Sequence, residues 1–292
     1  MRRAVVLAGL ALALAPLAAG CGGTKKKAAP STASSSCAAS QLHLAKSSTL
    51  TIGTDNPAYP PWYGGSAGHS WKVSDPYSGK GYESAVAYAL AKQLGFSRDQ
   101  VVWKYVPFEI AKAPGKKPFD FDINQISYSL ARAKVVDFSA SYYDVAQGIV
   151  VNDGTPISKV TTIAGLKPYE LGAQLGTTSY QLIKSTIKPS KQPSVFPTNA
   201  GAVQALKNKQ IDGLVVDLPT AFYVTAAQVP GSKVLGQFPG EPGGEHFGLV
   251  FEKGNPLVTC VNKALATLRS NGTLKQLDHQ WLAKATGAPI LK

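Results

Sequence analysis

Short apolar segments of strand type alternate with segments of helical periodicity over residues 50–282, and this alternation constrains the fold more than any other feature of the chain. Leu50–Thr54 and residues 101–106 are typical of strands, whereas residues 84–94 repeat apolar side chains at helical spacing. Alternation of this kind favours α/β lobes with mostly parallel sheets. A chain of 292 residues is long enough for two such lobes.

Further strands and helices are predicted along the same stretch. The strands are residues 121–126, 148–151, 213–216 and 247–251, and two helices close the chain. A helix covers residues 178–184, Thr198 is the predicted N-cap of the next, and Pro219 suits the first turn of a third. In such sheets a ligand binds beyond the carboxyl ends of the strands, where the strand order reverses.

The first twenty residues are predicted to be a signal peptide, because Arg2 and Arg3 precede an uncharged apolar run. The run Leu-Ala-Ala-Gly-Cys at residues 17–21 resembles the bacterial lipobox, which predicts lipidation of Cys21 and anchoring to the cell membrane. An ordinary cleaved secretory signal is the alternative, and both export the protein. Residues 21–45, rich in Gly, Lys, Ala, Ser and Thr, are predicted to form the anchor and a flexible linker.

The net charge of +13 falls to +11 in the exported chain, since residues 1–20 hold Arg2 and Arg3 and no acid. The remaining basic residues are scattered and accompany no nucleic-acid-binding motif, so we expect no nucleic-acid partner. A diffuse attraction to anionic lipid explains the charge more simply.

Several local patterns predict no chemistry. Residues 64–68 spell Gly-Gly-Ser-Ala-Gly, as in a hydrolase nucleophile elbow, but lack the strand and helix that the elbow requires. The four histidines show no metal-ligand spacing, so no metal or other cofactor is expected. Asp120 and Asp122 share one face of a predicted strand, either as an acid/base pair or, as we prefer, at a solvated edge.

Ser127 and Arg132 are followed by a Val-Asp-Phe-Ser run at 136–139 and by Tyr142 and Tyr143. Here the chain resembles the polar amino-acid family of periplasmic solute-binding proteins, cluster F of the type II fold. The resemblance covers roughly residues 50–282. Other landmarks follow in the family's order at residues 53–55, 59–62, 81–83, 175–178, 212–217 and 270–274.

The resemblance implies a two-lobed type II periplasmic-binding-protein fold with a hinge and an interlobe cleft. Lobe 1 comprises residues 46–147 plus 247–292, lobe 2 comprises residues 148–246, and the hinge lies near 143–148 and 244–248. The ligand stabilises the closed form because only there do both lobes touch it. A monomer of this kind delivers its solute to the membrane permease of an ABC importer. Cys37 and Cys260, an even pair in an oxidising compartment, are predicted to form a disulfide in lobe 1.

The resemblance also assigns roles to the head-group residues of an amino-acid ligand. Arg132 binds the carboxylate through its planar fork, assisted by Ser127. Thr178 and Ser179 add groups at the start of a helix. Asp217 binds the ammonium.

The resemblance assigns contact with the side chain of the ligand to a second group of residues. The aromatic walls are Tyr59, Trp62 and Phe108, and Gln174 reads the ligand side chain. Gln125 stands where many family members have Gly, and Glu83 replaces the usual Asp. Asp55 and Glu83 together favour a basic amino acid, although relatives that bind glutamine also carry acids there.

Alternatives remain open on the sequence alone. Arg132 has a possible surface partner in Asp137, Asp217 has the position of a helix cap, and Trp62 and Phe108 are as typical of core as of a ligand wall. An exported enzyme on this fold, similar to cyclohexadienyl dehydratase with Glu83 as general acid, is one rival function. A binding protein that only senses its ligand is the other.

Overall fold

Two five-stranded sheets, each packed against helices, organise the chain in the computed structural model, which describes residues 37–240, 244–285 and 287–292. The strands are β1 (Leu50–Thr54), β2 (Val101–Tyr105), β3 (Phe121–Asp122), β4 (Asp137–Phe138), β5 (Tyr143–Asp144), β6 (Gln147–Asn152), β7 (Leu171–Gln174), β8 (Ser194–Phe196), β9 (Gly213–Asp217), β10 (Ser232–Gln237), β11 (His246–Phe247) and β12 (Val250–Phe251). The helices are α1 (Tyr82–Gln93), α2 (Phe108–Ala111), α3 (Leu130–Ala133), α4 (Thr178–Leu182), α5 (Asn199–Lys207), α6 (Leu218–Tyr223), α7 (Leu257–Ser270) and α8 (Thr273–Leu282).

Lobe 1 is built on the sheet β2-β1-β3-β12-β4. Strand β1 lies parallel to β2 and β3, and β12 runs antiparallel to β3 and β4. Its core combines apolar side chains of β1, α1 and α7 with large aromatic rings such as Trp103, Phe121 and Phe251. The predicted disulfide is present, with the Cα atoms of Cys37 and Cys260 5.4 Å apart.

Lobe 2 is built on the sheet β10-β6-β9-β7-β8. Successive residues of β6 point to opposite faces, as strand geometry requires, so Ile149 and Val151 enter one apolar cluster and Val150 enters another. Helices cover both faces. Helices α4 and α6 each continue as one π-helical turn, at Ile183–Ile187 and Val224–Gln228.

A two-stranded ribbon joins the lobes, where β5 leaves lobe 1 and the antiparallel β11 returns to it. Strands β6 and β12 enter their sheets from this ribbon, and each runs antiparallel to its sheet neighbours. The prediction of mostly parallel sheets is confirmed, because four of the five strands in each sheet run in one direction and only the strand that enters from the ribbon is reversed.

Two predicted strands are shorter than expected. The segment 121–126 ends as a strand at Asp122, and Gln125 has a left-handed φ of 48° that interrupts an extended chain. The segment 247–251 divides between the ribbon strand β11 and the sheet strand β12. Thr198 caps α5 through the backbone N–H of Gly201, and Pro219 lies in the first turn of α6, as predicted.

The chain termini depart from the predicted boundaries. Residues 37–45 are not a free linker, since Cys37, Leu42 and Leu44 pack on the lobe 1 core. The last residues do not stay in lobe 1: Gln237 of β10 donates to the carbonyl of Pro289 and accepts from the backbone N–H of Leu291, at 2.8 and 2.9 Å. Leu291 is part of the lobe 2 core, and its burial there holds the last residues of the chain on lobe 2. Residues 1–36, including Cys21, lie outside the described part of the chain.

Candidate functional site

A cavity of about 240 Å³ lies between the two lobes. Eleven of the twelve predicted ligand-binding residues line it. They are Asp55, Tyr59, Trp62, Phe108, Gln125, Ser127 and Arg132 from lobe 1, and Gln174, Thr178, Ser179 and Asp217 from lobe 2. Glu83 does not. The carboxyl ends of β1, β7 and β9 supply Asp55, Gln174 and Asp217, in agreement with the position expected for a ligand site in sheets of this type.

Direct contacts across the cleft show that the structure is closed. Trp62 Nε1 donates to Thr220 Oγ1 at 3.0 Å. The hydroxyls of Ser127 and Thr178 are 3.3 Å apart, and the guanidinium of Arg132 donates to the carbonyl of lobe 2 Gly176 at 2.8 Å. Gly176 has a φ of 73°, a conformation that favours glycine, where Glu109 and Lys112 of lobe 1 approach it.

Arg132 lies on the short helix α3, whose N-cap Ser129 accepts from the backbone N–H of Arg132 at 3.2 Å. The guanidinium donates to the carbonyl of Ser127 at 2.5 Å and stands 5.7 Å from the ring centre of Phe108. Asp137 instead pairs with Lys253 at 2.7 Å. The surface pairing of Arg132 with Asp137 is therefore wrong, and Arg132 keeps further N–H donors for the cavity.

Asp217 occupies the N-cap position of α6, but its side chain makes no capping hydrogen bond. Its carboxylate accepts from Gln147 Nε2 at 2.6 Å, and Gln147 Oε1 accepts from the hydroxyl of Ser179 at 2.6 Å. Burial, reinforced by the nearby charge of Glu245, raises the pKa of Asp217 well above its ordinary value. The helix-cap role is not seen, and Asp217 is oriented by Gln147 instead.

Glu83 is fully buried behind the cavity wall. It accepts from the backbone N–H of Gln125 at 2.7 Å, and also from the Gln125 side-chain amide and the Tyr142 hydroxyl. Burial raises the pKa of Glu83 to about 7. Its predicted direct contact with the ligand does not fit this position, because Gln125 stands between them. Glu83 holds Gln125 in its left-handed conformation, which costs a residue other than Gly roughly 1 kcal/mol or more.

Asp120 and Asp122 are both buried, so the predicted solvated edge is wrong. Asp120 accepts from the backbone N–H groups of Ala45 and Thr51, each at 2.6 Å. Neither oxygen of Asp122 has a hydrogen-bond partner within the described chain, and burial raises its pKa well above the ordinary value. They do not face each other as an acid/base pair on the cavity, since neither lines it.

The aromatic residues divide between core and cavity. The Trp62 ring packs edge-on against Tyr143 and Phe247, each 5.5 Å away between ring centres, while its edge reaches the cavity. Trp62 is therefore both core and wall. Tyr59 faces Tyr223 across the cleft at 6.2 Å. Asp55, whose pKa is raised by burial, is an acid on this side of the cavity.

Sequence reasoning missed two polar residues that organise the site, Gln147 and Glu245. Gln147 is a polar residue at the start of the apolar strand β6, and Glu245 is an acid inside the predicted hinge. Both positions are visible in the sequence and could have indicated a role at the site. Residues 64–68 form an irregular loop with no helix directly after it. Within the described ranges no cluster of three or more His, Cys, Asp or Glu is placed to hold a metal ion. The same ranges contain no helix of the length and apolarity needed to cross a bilayer.

Two α/β lobes that close over a cavity lined by charges of both signs define a solute-binding protein with a hinge. Residues 50–284 match the family described as bacterial extracellular solute-binding proteins, family 3. The chain belongs to this family, which confirms the predicted resemblance and the two-lobed α/β fold.

Named relatives are similar over most of the chain. The L-cystine-binding protein TcyJ of Escherichia coli strain K12 is 27% identical over 248 residues, 84% of this chain and 85% of that protein. An ancestral arginine-binding protein solved with bound glutamine is 30% identical, with a TM-score of 0.66 over 81% of this chain and 98% of that one. The ancestral amino acid-binding protein AncCDT-1, described as a precursor of cyclohexadienyl dehydratase, is 28% identical, with a TM-score of 0.65 over 80% and 95% of the two chains.

Proposed function

We propose that this protein captures a polar α-amino acid between its lobes and delivers it to the permease of an ABC importer. The observation that carries the proposal is the presence of Arg132 and Asp217 on opposite walls of one cavity. A guanidinium provides paired donors for the carboxylate of an amino acid, and a carboxylate provides the acceptor for its ammonium. An α-amino acid carries both of these charged groups on a single carbon atom.

The surroundings of these charges support an amino-acid ligand. The cavity of about 240 Å³ suits a small molecule rather than a peptide. Ser127, Thr178 and Ser179 add hydroxyl groups beside the charged pair, and Tyr59 and Phe108 provide apolar walls.

The ligand class leans toward basic amino acids or glutamine. Asp55 is an acid on the side-chain end of the cavity, whereas Glu83 lies behind Gln125. The ancestral arginine-binding relative, solved with glutamine, offers a precedent for both ligands on one scaffold.

Binding rather than catalysis is the role that we propose. The similarity to a precursor of cyclohexadienyl dehydratase is the observation that favours the enzymatic alternative. Glu83, the general-acid candidate, has a pKa raised to about 7 but is separated from the cavity by Gln125. Incubation with prephenate or arogenate tests this directly, and turnover of either compound would contradict the binding role.

Thermal denaturation in the presence of each of the twenty amino acids, ornithine and citrulline tests the proposal. A ligand at a hundred times its Kd stabilises the folded state by about 2.7 kcal/mol, so one compound or a small group should raise the melting temperature clearly. Arg132→Lys should abolish the shift, because an ammonium cannot reproduce the bidentate fork. Arg269→Lys, on α7 outside the cavity, is the matched control and should retain it. If no compound shifts the wild-type protein, the proposal is wrong.

We further propose that the exported protein is a monomer that Cys21 anchors to the membrane through lipid. The support is the lipobox-like run at residues 17–21. One acyl chain binds a membrane only marginally, so stable anchoring implies more than one. Cys21→Ser should release the protein into the soluble fraction, and retention of the variant in the membrane fraction would contradict the anchor.

A further inference from the structure

A carboxylate that the predicted site did not include lies in the hinge. Glu245 precedes β11, in the segment that returns the chain to lobe 1. Its Oε1 accepts from the hydroxyl of Ser127 at 2.5 Å, and its Oε2 accepts from Gln147 Nε2 at 3.0 Å. Glu245 therefore joins a residue of lobe 1 to the first residue of lobe 2 strand β6 beside the cavity.

The same amide nitrogen binds both Glu245 and Asp217. Gln147 Nε2 has two N–H donors, and it lies 2.6 Å from Asp217 Oδ1 and 3.0 Å from Glu245 Oε2. The two carboxylate oxygens are thus at most 5.6 Å apart, the sum of the two bonds. Gln147 is buried, and the hydroxyl of Ser179 bonds its Oε1, so the amide is fixed with its donors toward the two acids.

The charges that face this pair do not neutralise it. Arg132 is the cation that acts on both Glu245 and Asp217, and the guanidinium is also within the field of Glu109. Glu83 adds a further acid behind Asp217, and Asp217 in turn acts on the phenol of Tyr143. The negative charges of Glu245 and Asp217 are thus opposed by the single positive charge of Arg132. The positive charge of a ligand ammonium would balance the remaining negative charge.

We propose that Glu245, which lies next to the lining of the cavity and not in it, is a positioning residue of the ammonium site that acts on the amine of the ligand through Gln147 and Asp217. The proposal rests on the proposed amino-acid function and deepens it by adding a specificity-determining residue. Binding then requires the amine: a deaminated analogue, with the same carboxylate and side chain, leaves two carboxylates facing each other in a desolvated cleft.

The pair also predicts a proton linkage. Burial and the charge of Glu245 raise the pKa of Asp217 well above its ordinary value, so a proton competes with the ligand ammonium for Asp217. Binding of the ammonium displaces any such proton to solvent. Removing the charge of Glu245 lowers the pKa of Asp217 and weakens the linkage.

Unfolding of the ligand-free protein tests the coupling without any ligand. Urea denaturation is measured at about pH 5 and about pH 8 for wild type, Glu245→Gln, Asp217→Asn and the double variant. Glu245→Gln should stabilise more at the higher pH, because the charge of Glu245 opposes ionisation of Asp217 and more of that ionisation occurs at the higher pH. In the Asp217→Asn background this pH dependence should vanish. An equal pH dependence in the two backgrounds overturns the coupling of the two acids.

Calorimetry with L-arginine and L-glutamine tests the role in binding. Glu245→Gln should weaken the tighter of the two probes about tenfold or more at about pH 8, and less at about pH 6, where a proton competes more strongly with the ligand for Asp217. Asp144→Asn removes an exposed acid of the partner strand β5 and should leave affinity within about twofold. Unchanged affinity in Glu245→Gln at both pH values overturns this proposal alone. If the wild type binds no amino acid of the thermal panel, this proposal and the proposed function fall together.

Discussion

Lobe 1 and lobe 2 both hold acidic residues close to the cleft, but the fully buried acids Glu83 and Asp122 of lobe 1 lie outside the cavity, whereas Asp217 of lobe 2 lines it. In lobe 1, Glu83 and Asp122 lie behind the residues that line the cavity. In lobe 2, Asp217 ends β9 and faces the cavity itself. Burial raises the pKa of all three, so a raised pKa here marks desolvation and does not by itself locate a binding site. Exposure to the cavity distinguishes Asp217 from Glu83 and Asp122.

The lobes also differ in how their outlying segments are fastened. Lobe 1 holds the segment before β1 with the Cys37–Cys260 disulfide. Lobe 2 holds the last residues of the chain by backbone hydrogen bonds to β10 and by burial of Leu291. Packing holds both segments, and lobe 1 adds a covalent bond to it.

The largest expected effect separates the two kinds of buried acid. Asp217→Asn should reduce affinity for the identified amino acid by about 2–5 kcal/mol, roughly thirty- to several-thousand-fold, because the ligand ammonium is left without its partner in a desolvated site. Asp122→Asn, its counterpart in lobe 1, should leave affinity within about twofold. Calorimetry on both variants tests this difference. Near-wild-type binding by Asp217→Asn would contradict the assignment of Asp217 to the ligand ammonium.

The disulfide should matter to stability and not to binding. Replacing Cys37 and Cys260 together by Ala should lower the free energy of unfolding by about 2–4 kcal/mol, since the cross-link spans 223 residues and restricts the unfolded chain. Guanidinium denaturation measures this loss, with Cys21 left in place. Stability equal to that of the wild type would show that noncovalent packing of residues 37–45 suffices for lobe 1.

The pH dependence of stability should report Glu83. Its folded-state pKa of about 7 exceeds the ordinary value of 4.5, so its contribution to stability is fully present below pH 4.5 and is lost as the pH rises to about 7. The loss is on the order of 3 kcal/mol. Glu83→Gln should flatten denaturation midpoints across this window. A profile as steep as that of the wild type would assign the pH dependence to another acid, with Asp122 the first candidate.

The smallest effect concerns the tail of lobe 2. Leu291→Ala should cost about 2 kcal/mol of stability, because Leu291 is only 3% exposed within the lobe 2 core. Ile290→Ala changes the neighbouring side chain, which is 63% exposed, and should stay within about 0.5 kcal/mol. Equal unfolding free energies for the two variants would mean that the tail does not stabilise lobe 2.

Much of the architecture was readable from local patterns. Helix α1, strands β1 and β9 and the caps of α5 and α6 depend on periodicity and capping, which act within a few residues. The strand predicted at 121–126 was too long because a hydrogen-bonded glutamine, Gln125, adopts a conformation that is usual for Gly.

The candidate site was also largely readable, because its residues follow recognisable motifs at the ends of strands. Two errors have a common cause. Glu83 was assigned to the cavity, and Glu245 was overlooked, because distance from a ligand depends on which side chains stand between. No local pattern carries that information.

The sequence by itself therefore determined the α/β alternation, the family, the positions of several charged residues that line the cavity, and the pairing of Cys37 with Cys260. Only the tertiary structure decided which acids face the cavity, how the tail crosses to lobe 2, and that Gln147 joins Asp217 to Glu245. The physical reason is that propensity and periodicity are properties of neighbouring residues, whereas desolvation and hydrogen bonding across 98 residues arise only when distant segments pack together.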